Sequence, residues 1–487
     1  MNTISKFGFG GYRIDNRVDE HFNALTKAIL NGITLIDTST NYSDGGSELL
    51  IGNVLDDLTG AGKIKREDVT IVTKAGYMQG KNYRYARKRK EKGNPFENVV
   101  EYEEGIWHSI NPDFLEDQLN RQLLRLDQNN PGGYIDAYLL HNPEYYLAYA
   151  RLNAYDKTEA QTEYYKRIKK AFEFLEEKVN KGTIRNYGIS SNTFPSNGVL
   201  FDFTSLERIY KTALEVSQDN HFKFVQMPFN LLESDAYFNR NFADGKMNVL
   251  EYAASKNINV LTNRPLNAIT GNGLVRLSDF EYKQFNREEF LKYTEVVELL
   301  EDDFLREKFT NIEISKEDID LLNASMVFGR TLKNNWEKFG TIEHMNDIVE
   351  HFFANRINIL IDFFDEKITD DDYNKQFDKY IKIVFRLLNM LSNYYKETAS
   401  KRSAFLHGII DEYLDESHRK LTLSEKAALI ISSVPGVSTV LTGMRKEKYV
   451  EDIIGVIDAE PVKHYEKILS KISEEIKKVT GQEDAHK

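Results

Sequence analysis

The feature that most constrains this chain is a regular alternation of short apolar segments, rich in β-branched residues, with amphipathic helical segments. Eight apolar segments read as buried parallel strands, at 6–14, 33–37, 69–74, 134–141, 184–190, 222–230, 258–267 and 438–443. Helical periodicity follows most of them, as in 18–32, which closes at Gly32. Parallel strands require such crossovers, so the pattern predicts an α/β fold, a (β/α)8 TIM barrel. The alternative is an open doubly wound sheet, but no GxGxxG motif follows the first strand.

A long insertion interrupts this pattern between strand 7 and the last helix–strand unit. An ordinary barrel holds one loop and one helix there, whereas this chain has the segment 268–420. Helical periodicity recurs within it, and Gly, Pro and Ser are too sparse for a flexible linker. We therefore predict a barrel of residues 1–267 and 421–487, with 268–420 as an inserted, mainly helical subdomain. It leaves from a strand end, so three uses stay open: a lid, a wall that sets substrate size, or a docking surface for a partner protein.

Composition argues against several classes of protein. The 487 residues carry a net charge of −12, and beyond one loop the basic residues form no long tract. This argues against nucleic acid and against an anionic membrane surface. The chain has no cysteine, and its histidines show no metal-binding spacing, so we expect no metal. The start lacks the apolar region of a signal peptide, and no apolar run approaches the ~18 residues of a membrane span, so we expect a cytoplasmic protein.

Four polar residues stand at, or just beyond, the C-terminal ends of early strands: Asp37, Tyr42, Lys74 and His141. Barrel enzymes carry their reacting groups at this end. Their order resembles that of the catalytic residues of the aldo-keto reductases, and the reaction which this implies, reduction of a carbonyl, needs a hydride at carbon and a proton at oxygen. Tyr42 is the candidate proton donor, Lys74 would lower its pKa, and Asp37 would keep Lys74 charged. His141 would hydrogen-bond the substrate oxygen. Each residue alone has a structural interpretation, but together they form a working catalytic set.

The order of these residues and the sequence segments around them, LIDTSTNY, VTKAG and YLLHNPE, resemble the catalytic tetrad of the aldo-keto reductases. The resemblance covers residues 1–267 and 421–460. It implies a nicotinamide cofactor and a small-molecule carbonyl or alcohol as substrate. An aldehyde, ketone or sugar-like carbonyl would be reduced to an alcohol, or the reverse reaction would run.

The same resemblance implies a set of contacts to the cofactor. The residues assigned to it are Gly11, Tyr12, Arg13, Ser190, Ser191, Gln226, Asn263, Arg264, Pro265, Leu266, Gly443, Met444, Arg445, Lys446 and Asp452. Ser190, Ser191 and Gln226 would bind the nicotinamide carboxamide. Arg445 and Lys446 would bind the 2′-phosphate, which favours NADP(H) over NAD(H), although they could instead be surface charges.

Two departures from the family pattern concern the cofactor. Many members stack an aromatic residue on the nicotinamide, where this chain has NRPL with Asn263 and Arg264. Arg264 could instead contact the pyrophosphate. A Glu-Asn pair that often contacts adenine is replaced by Asp452 and Ile453.

A long polar and aromatic loop is predicted at 75–109, on the catalytic face. It contains a basic cluster of Arg84, Arg87, Lys88, Arg89, Lys90 and Lys92. The cluster could attract an anionic substrate or form a solvated surface, and Trp107 could pack in the rim or line the pocket. A rival to the enzyme hypothesis stays open: a cofactor-binding scaffold or redox sensor with slow turnover, whose insertion docks a partner protein.

Overall fold

The computed structural model of the protein describes residues 4–126, 133–270, 273–308 and 314–480. The chain forms two compact units. The first unit comprises Met1–Leu266, Glu416–Leu421 and Glu425–Lys487, and the second comprises Asn267–Asp415 and Thr422–Ser424.

Eight parallel strands of the first unit close into a barrel, which confirms the predicted (β/α)8 fold. In chain order they are β1 (Phe7–Gly10), β2 (Leu35–Asp37), β3 (Thr70–Ala75), β4 (Ile135–His141), β5 (Ile184–Ser190), β6 (Phe222–Pro228), β7 (Asn259–Asn263) and β8 (Thr439–Thr442). Each strand pairs with the next, and β8 closes on β1, where Phe7 lies opposite Val440. Inward-facing apolar side chains, among them Leu35, Val72 and Leu139, fill the interior.

Helices connect these strands, and several begin at side-chain caps. They are Asp19–Leu30, Gly46–Gly60, Gly80–Glu91, Pro112–Leu126, Tyr145–Leu152, Lys157–Asn180, Leu206–Val216, Asp235–Phe238, Val249–Ser255, Glu416–Arg419, Leu423–Ser432, Glu447–Ile457 and Tyr465–Thr480. Asp156 accepts hydrogen bonds from the N–H groups of Thr158 and Glu159, and Asn248 forms a capping box with Glu251. Such caps satisfy the free N–H groups of the first turn and therefore fix where these helices begin.

The first strand is shorter than predicted, because it ends at Gly10 and not near residue 14. Gly11 turns the chain toward β2, and its N–H donates to the backbone oxygen of Asp37 at 2.8 Å. A Cβ atom at position 11 would lie only 2.7 Å from that oxygen. The turn therefore requires glycine and draws the end of β1 against Asp37.

The predicted loop at 75–109 is an ordered substructure, which corrects the sequence-based expectation. It contains the helix Gly80–Glu91 and a three-stranded antiparallel sheet of Tyr77–Met78, Val100–Glu103 and Ile106–His108. Trp107 is buried in a small core with Met78, Ala86, Phe96 and Phe114. The strands are too short, and too interrupted by polar residues, for their periodicity to be seen in the sequence.

The second unit is mainly helical, with one antiparallel hairpin, Asn267–Thr270 and Gly273–Arg276. Its α-helices are Arg287–Asp303, Lys316–Ser325, Phe328–Asn335, Ile342–Ile348, Ala354–Lys367 and Asp371–Asp411. They enclose a separate apolar core that includes Phe290, Leu360 and Leu387. Within the described ranges, no helix has the length and apolar composition that a membrane crossing demands.

Candidate active site

An ion pair lies at the C-terminal end of the barrel, where β2 and β3 run side by side. The Lys74 ammonium lies 2.7 Å from Oδ1 and 2.8 Å from Oδ2 of Asp37, and it donates to the Thr38 carbonyl at 2.7 Å. Gln226 donates to Oδ1 of Asp37 at 2.7 Å. Lys74 is fully buried and Asp37 nearly so. Because every charged atom has hydrogen-bond partners, the pair is ionised and rigidly placed.

Tyr42 lies above this ion pair. Its hydroxyl is 3.4 Å from the Lys74 ammonium, which also lies 4.9 Å from the centre of the Tyr42 ring. The turn that follows has positive φ at Ser43 (50°) and Asp44 (53°). Asp44 accepts a hydrogen bond from the N–H of Lys81 at 3.0 Å, which holds this turn against the helix Gly80–Glu91.

Burial decides how the site titrates. It raises the pKa of Tyr42 well above 10, and Asp37 and Tyr12 add to the rise. The expectation that Lys74 lowers the Tyr42 pKa stays a prediction, because the net rise does not isolate the effect of the ammonium from that of burial. Burial also raises the pKa of Asp37 and lowers that of Lys74, while their ion pair opposes both shifts. Tyr42 therefore holds its proton at neutral pH.

The imidazole of His141 completes the group of four. Its ring meets Tyr42 edge-on at 6.0 Å between centroids and Tyr77 edge-on at 4.6 Å. Burial lowers the pKa of His141 well below 6.5, and the charge of Lys74 adds to this, so the ring is neutral. Its backbone oxygen lies 2.7 Å from Nε2 of His108, whose pKa falls to about 4 through burial. The structure thus brings together all four residues predicted as catalytic.

A second polar cluster lies next to the ion pair, at the ends of β5, β6 and β7. The Gln226 oxygen accepts hydrogen bonds from Ser190 at 3.3 Å and from the Asn263 amide at 3.2 Å. The Asn263 carboxamide oxygen is buried and has no hydrogen-bond partner among the described residues. An unpartnered buried acceptor fits a ligand that brings an N–H group, such as a carboxamide.

Ser191 lies on the other side of the chain from Ser190. Its hydroxyl lies 3.2 Å from the Thr193 hydroxyl and accepts from the Thr193 N–H at 3.2 Å. Glu144 is buried, accepts from the Asn192 N–H at 2.8 Å, and has its pKa raised to about 7 by burial. The Ser191 hydroxyl is therefore not part of the side-chain cluster around Gln226, although the Ser191 N–H donates to the Gln226 backbone oxygen at 2.9 Å.

Gly11, Tyr12 and Arg13 lie beside the site where β1 ends. Tyr12 is 62% exposed, and its ring meets that of Tyr42 edge-on at 5.1 Å. The Arg13 guanidinium lies 5.8 Å from the Tyr12 ring centre. These side chains border the site at its open side.

Arg264 follows Asn263 in the NRPL segment at the end of β7. It has a φ of 54° and forms an ion pair with Glu233 at 2.7 Å. Asn230 accepts from the Glu233 N–H and donates to the Arg264 backbone oxygen. These hydrogen bonds connect the segment after β6 with the segment after β7. Pro265 is buried and Leu266 partly exposed.

The segment after β8 holds the remaining predicted cofactor residues. Gly443 is exposed, and a Cβ there would meet no atom within 4 Å, while Met444 is fully buried. Arg445 and Lys446 follow at the start of the helix Glu447–Ile457, with Lys446 3.9 Å from Glu20. Within this helix, Asp452 forms an ion pair with Lys448 at 2.8 Å. Ile453 is buried, so it lies on the helix face turned away from solvent.

Sequence reasoning missed residues that support the tetrad. Ser39 contacts the His141 ring, and Tyr77 packs on it and accepts a hydrogen bond from Asn142 at 3.0 Å. His108 holds the His141 backbone. Ser39 and Tyr77 lie two and three residues beyond strand-end residues of the tetrad, so their nearness to known strand ends was the available signal.

Comparisons with known proteins bear on the family of this chain. A sequence model of the aldo/keto reductase family matches residues 6–308. A reductase of Escherichia coli K12, named NADH-specific methylglyoxal reductase, is 26% identical over 147 residues, or 28% of this chain. That match spans only 38% of the relative's length.

Two solved structures show similarity to this chain. An aldo-keto reductase of Bacillus halodurans, in its holo form, has 15% identity and a TM-score of 0.46, covering 96% of this chain and 92% of that one. The glycerol dehydrogenase of Gluconobacter oxydans has 16% identity and a TM-score of 0.49, covering 100% and 96%. Because the family match covers more than half of its residues, the chain belongs to the aldo/keto reductase family.

Proposed function

We propose that this protein is an NAD(P)H-dependent oxidoreductase that reduces an aldehyde, ketone or sugar-like carbonyl to an alcohol, or runs the reverse reaction. The observation that carries the proposal is the placement of the Tyr42 hydroxyl 3.4 Å from a buried ammonium, with the neutral His141 ring beside it. Tyr42 would be the proton donor in this arrangement. Lys74 would stabilise its conjugate base, and His141 would be the neighbouring hydrogen-bonding group.

The proton step follows from these positions. Tyr42 holds a proton because burial raises its pKa. As the proton passes to the substrate oxygen, negative charge develops on the Tyr42 oxygen, and the Lys74 ammonium stabilises it. Asp37 keeps that ammonium charged and in place. A bound nicotinamide dinucleotide would supply the hydride. His141 would orient the substrate oxygen through its ring.

The residues present fit a nicotinamide cofactor. The unpartnered Asn263 oxygen, together with Ser190 and Gln226, would hold the carboxamide. Arg445 makes no ion pair within the described part of the chain, so its charge is available to a 2′-phosphate, and we therefore favour NADP(H) over NAD(H). The E. coli relative bears a name that specifies NADH, so we test the preference directly by measuring the Kd of each cofactor.

The test of function is NAD(P)H consumption against a panel of aldehydes, ketones and sugars. We expect turnover of at least one carbonyl. Tight NADPH binding without turnover of any of them would contradict the proposal and favour the scaffold alternative, in which residues 268–420 dock a partner protein. The cytoplasmic location stays a prediction from the sequence.

A further inference from the structure

Ser39 lies beside the His141 imidazole and is fully buried. Its Oγ is 3.0 Å from His141 Nδ1, 2.7 Å from the Asn41 carboxamide oxygen and 3.2 Å from the Lys74 backbone oxygen. The Asn41 amide in turn donates to the Gln79 side-chain oxygen at 2.9 Å. A chain of hydrogen bonds therefore runs from His141 through Ser39 and Asn41 to Gln79.

The direction of this chain determines where the neutral imidazole carries its proton. A hydroxyl has one proton to donate, and carbonyl oxygens can only accept. In the orientation found, Ser39 donates to Asn41, so the remaining neighbour, His141 Nδ1, must supply its own proton to Ser39. Every hydrogen bond of the chain is then donated away from His141, toward Gln79, which we call the outward direction. In this state Nε2 of His141 has no proton.

Turning both carboxamides by 180° reverses the chain. The same side chains stay in contact, but the oxygen and nitrogen of each carboxamide exchange places, so donors and acceptors are reversed. The Asn41 amide then donates to Ser39, Ser39 donates to Nδ1, and the proton of His141 lies on Nε2. The two states differ in the orientation of the two carboxamides and in the positions of the hydrogens. Asn41 and Gln79 are partly exposed, so neither rearrangement has to open the core.

We propose that Ser39, held by Asn41 and Gln79, is a positioning residue that selects the tautomer of His141. The tautomer sets whether Nε2 donates or accepts a hydrogen bond at the substrate oxygen. A carbonyl oxygen only accepts, so it requires the proton on Nε2, which is the tautomer of the reversed, inward direction. An alcohol hydroxyl can donate to an unprotonated Nε2, which is the tautomer of the outward direction. This inference rests on the proposed role of His141 in the reductase.

The test uses two variants of the full-length protein labelled with ¹⁵N-histidine. Ser39→Ala removes the partner of Nδ1, and the isosteric Asn41→Asp supplies a carboxylate that can only accept, which locks the outward direction. Ser432→Ala is the matched control, because it removes a buried hydroxyl that bonds only within its own helix. The ring ¹⁵N signals of His141, assigned with His141→Asn, report which nitrogen is protonated. NADPH titration and carbonyl turnover are measured alongside.

We expect Asn41→Asp to place the His141 proton on Nδ1 and Ser39→Ala to leave a mixture of tautomers. In both, kcat for carbonyl reduction should fall about tenfold, the order expected for one lost hydrogen bond, with the NADPH Kd unchanged. Unchanged ring signals in both variants, or a doubly protonated ring in Asn41→Asp, would overturn the proposal even if turnover falls. Because the ring signals need no substrate, they decide this point even if the wild type reduces no carbonyl, a result that would count against the proposed function alone.

Discussion

Replacing Lys74 by methionine tests the electrostatic part of the mechanism. The ammonium lies 3.4 Å from the Tyr42 oxygen. At an effective dielectric constant of ~20, a full charge on that oxygen would interact with it by about 5 kcal/mol. If about half of this charge has developed in the transition state, the loss is ~2.5 kcal/mol, or roughly 70-fold in kcat. The assay is kcat for carbonyl reduction at saturating NADPH, with the NADPH Kd measured separately.

The control for this variant separates chemistry from folding. Lys74→Met alone leaves the Asp37 carboxylate buried without its cation, which costs about 3–5 kcal/mol of the free energy of unfolding. The double variant Asp37→Asn/Lys74→Met removes both charges and should recover most of that stability without recovering kcat. A double variant that folds and keeps kcat within about threefold of the wild type, against the roughly 70-fold loss, would refute the reasoning.

Three further predictions follow from other parts of the barrel unit. Arg445→Ala should weaken NADPH binding by about tenfold or more and leave NADH binding unchanged, measured by fluorescence titration of each cofactor. Glu144→Gln should be as stable as the wild type near pH 5 and more stable at pH 8. The sign follows because burial raises the Glu144 pKa from 4.5 to about 7, so folding of the wild type weakens as pH rises through this interval. The difference between the two proteins in the free energy of urea unfolding should reach at most ~3 kcal/mol at pH 8. If the variant and the wild type are equally stable at pH 8 as well as at pH 5, the prediction is contradicted. Gly76→Ala should lower turnover, because a Cβ there would collide with the His141 backbone oxygen and lie 2.7 Å from His108 Nε2; unchanged kcat would show that the His141 backbone is not held as described.

The strands could be predicted from the sequence because each is a run of buried apolar residues bounded by polar ones. The ends of β4 and β5, at His141 and Ser190, lie where the sequence placed them. The end of β1 could not be placed, because the turn at Gly11 depends on its contact with the backbone of Asp37, a residue of another strand.

The site was predictable to the extent that strand ends converge in a barrel. Sequence order therefore indicated that Asp37, Lys74 and His141 would meet. The pKa of Tyr42 was not predictable, since it depends on burial that only the packed fold creates. The hydrogen bonds of Ser39 were hidden for the same reason, because they join residues far apart in the chain.

The most direct test of the central claim compares NADPH oxidation by the wild type and by Tyr42→Phe with a carbonyl that the wild type reduces. Tyr155→Phe, on an exposed residue, is the matched control. The account predicts that Tyr42→Phe binds NADPH normally and loses turnover by about 100-fold or more, while the control is unaffected. Equal turnover in Tyr42→Phe and the wild type would contradict it.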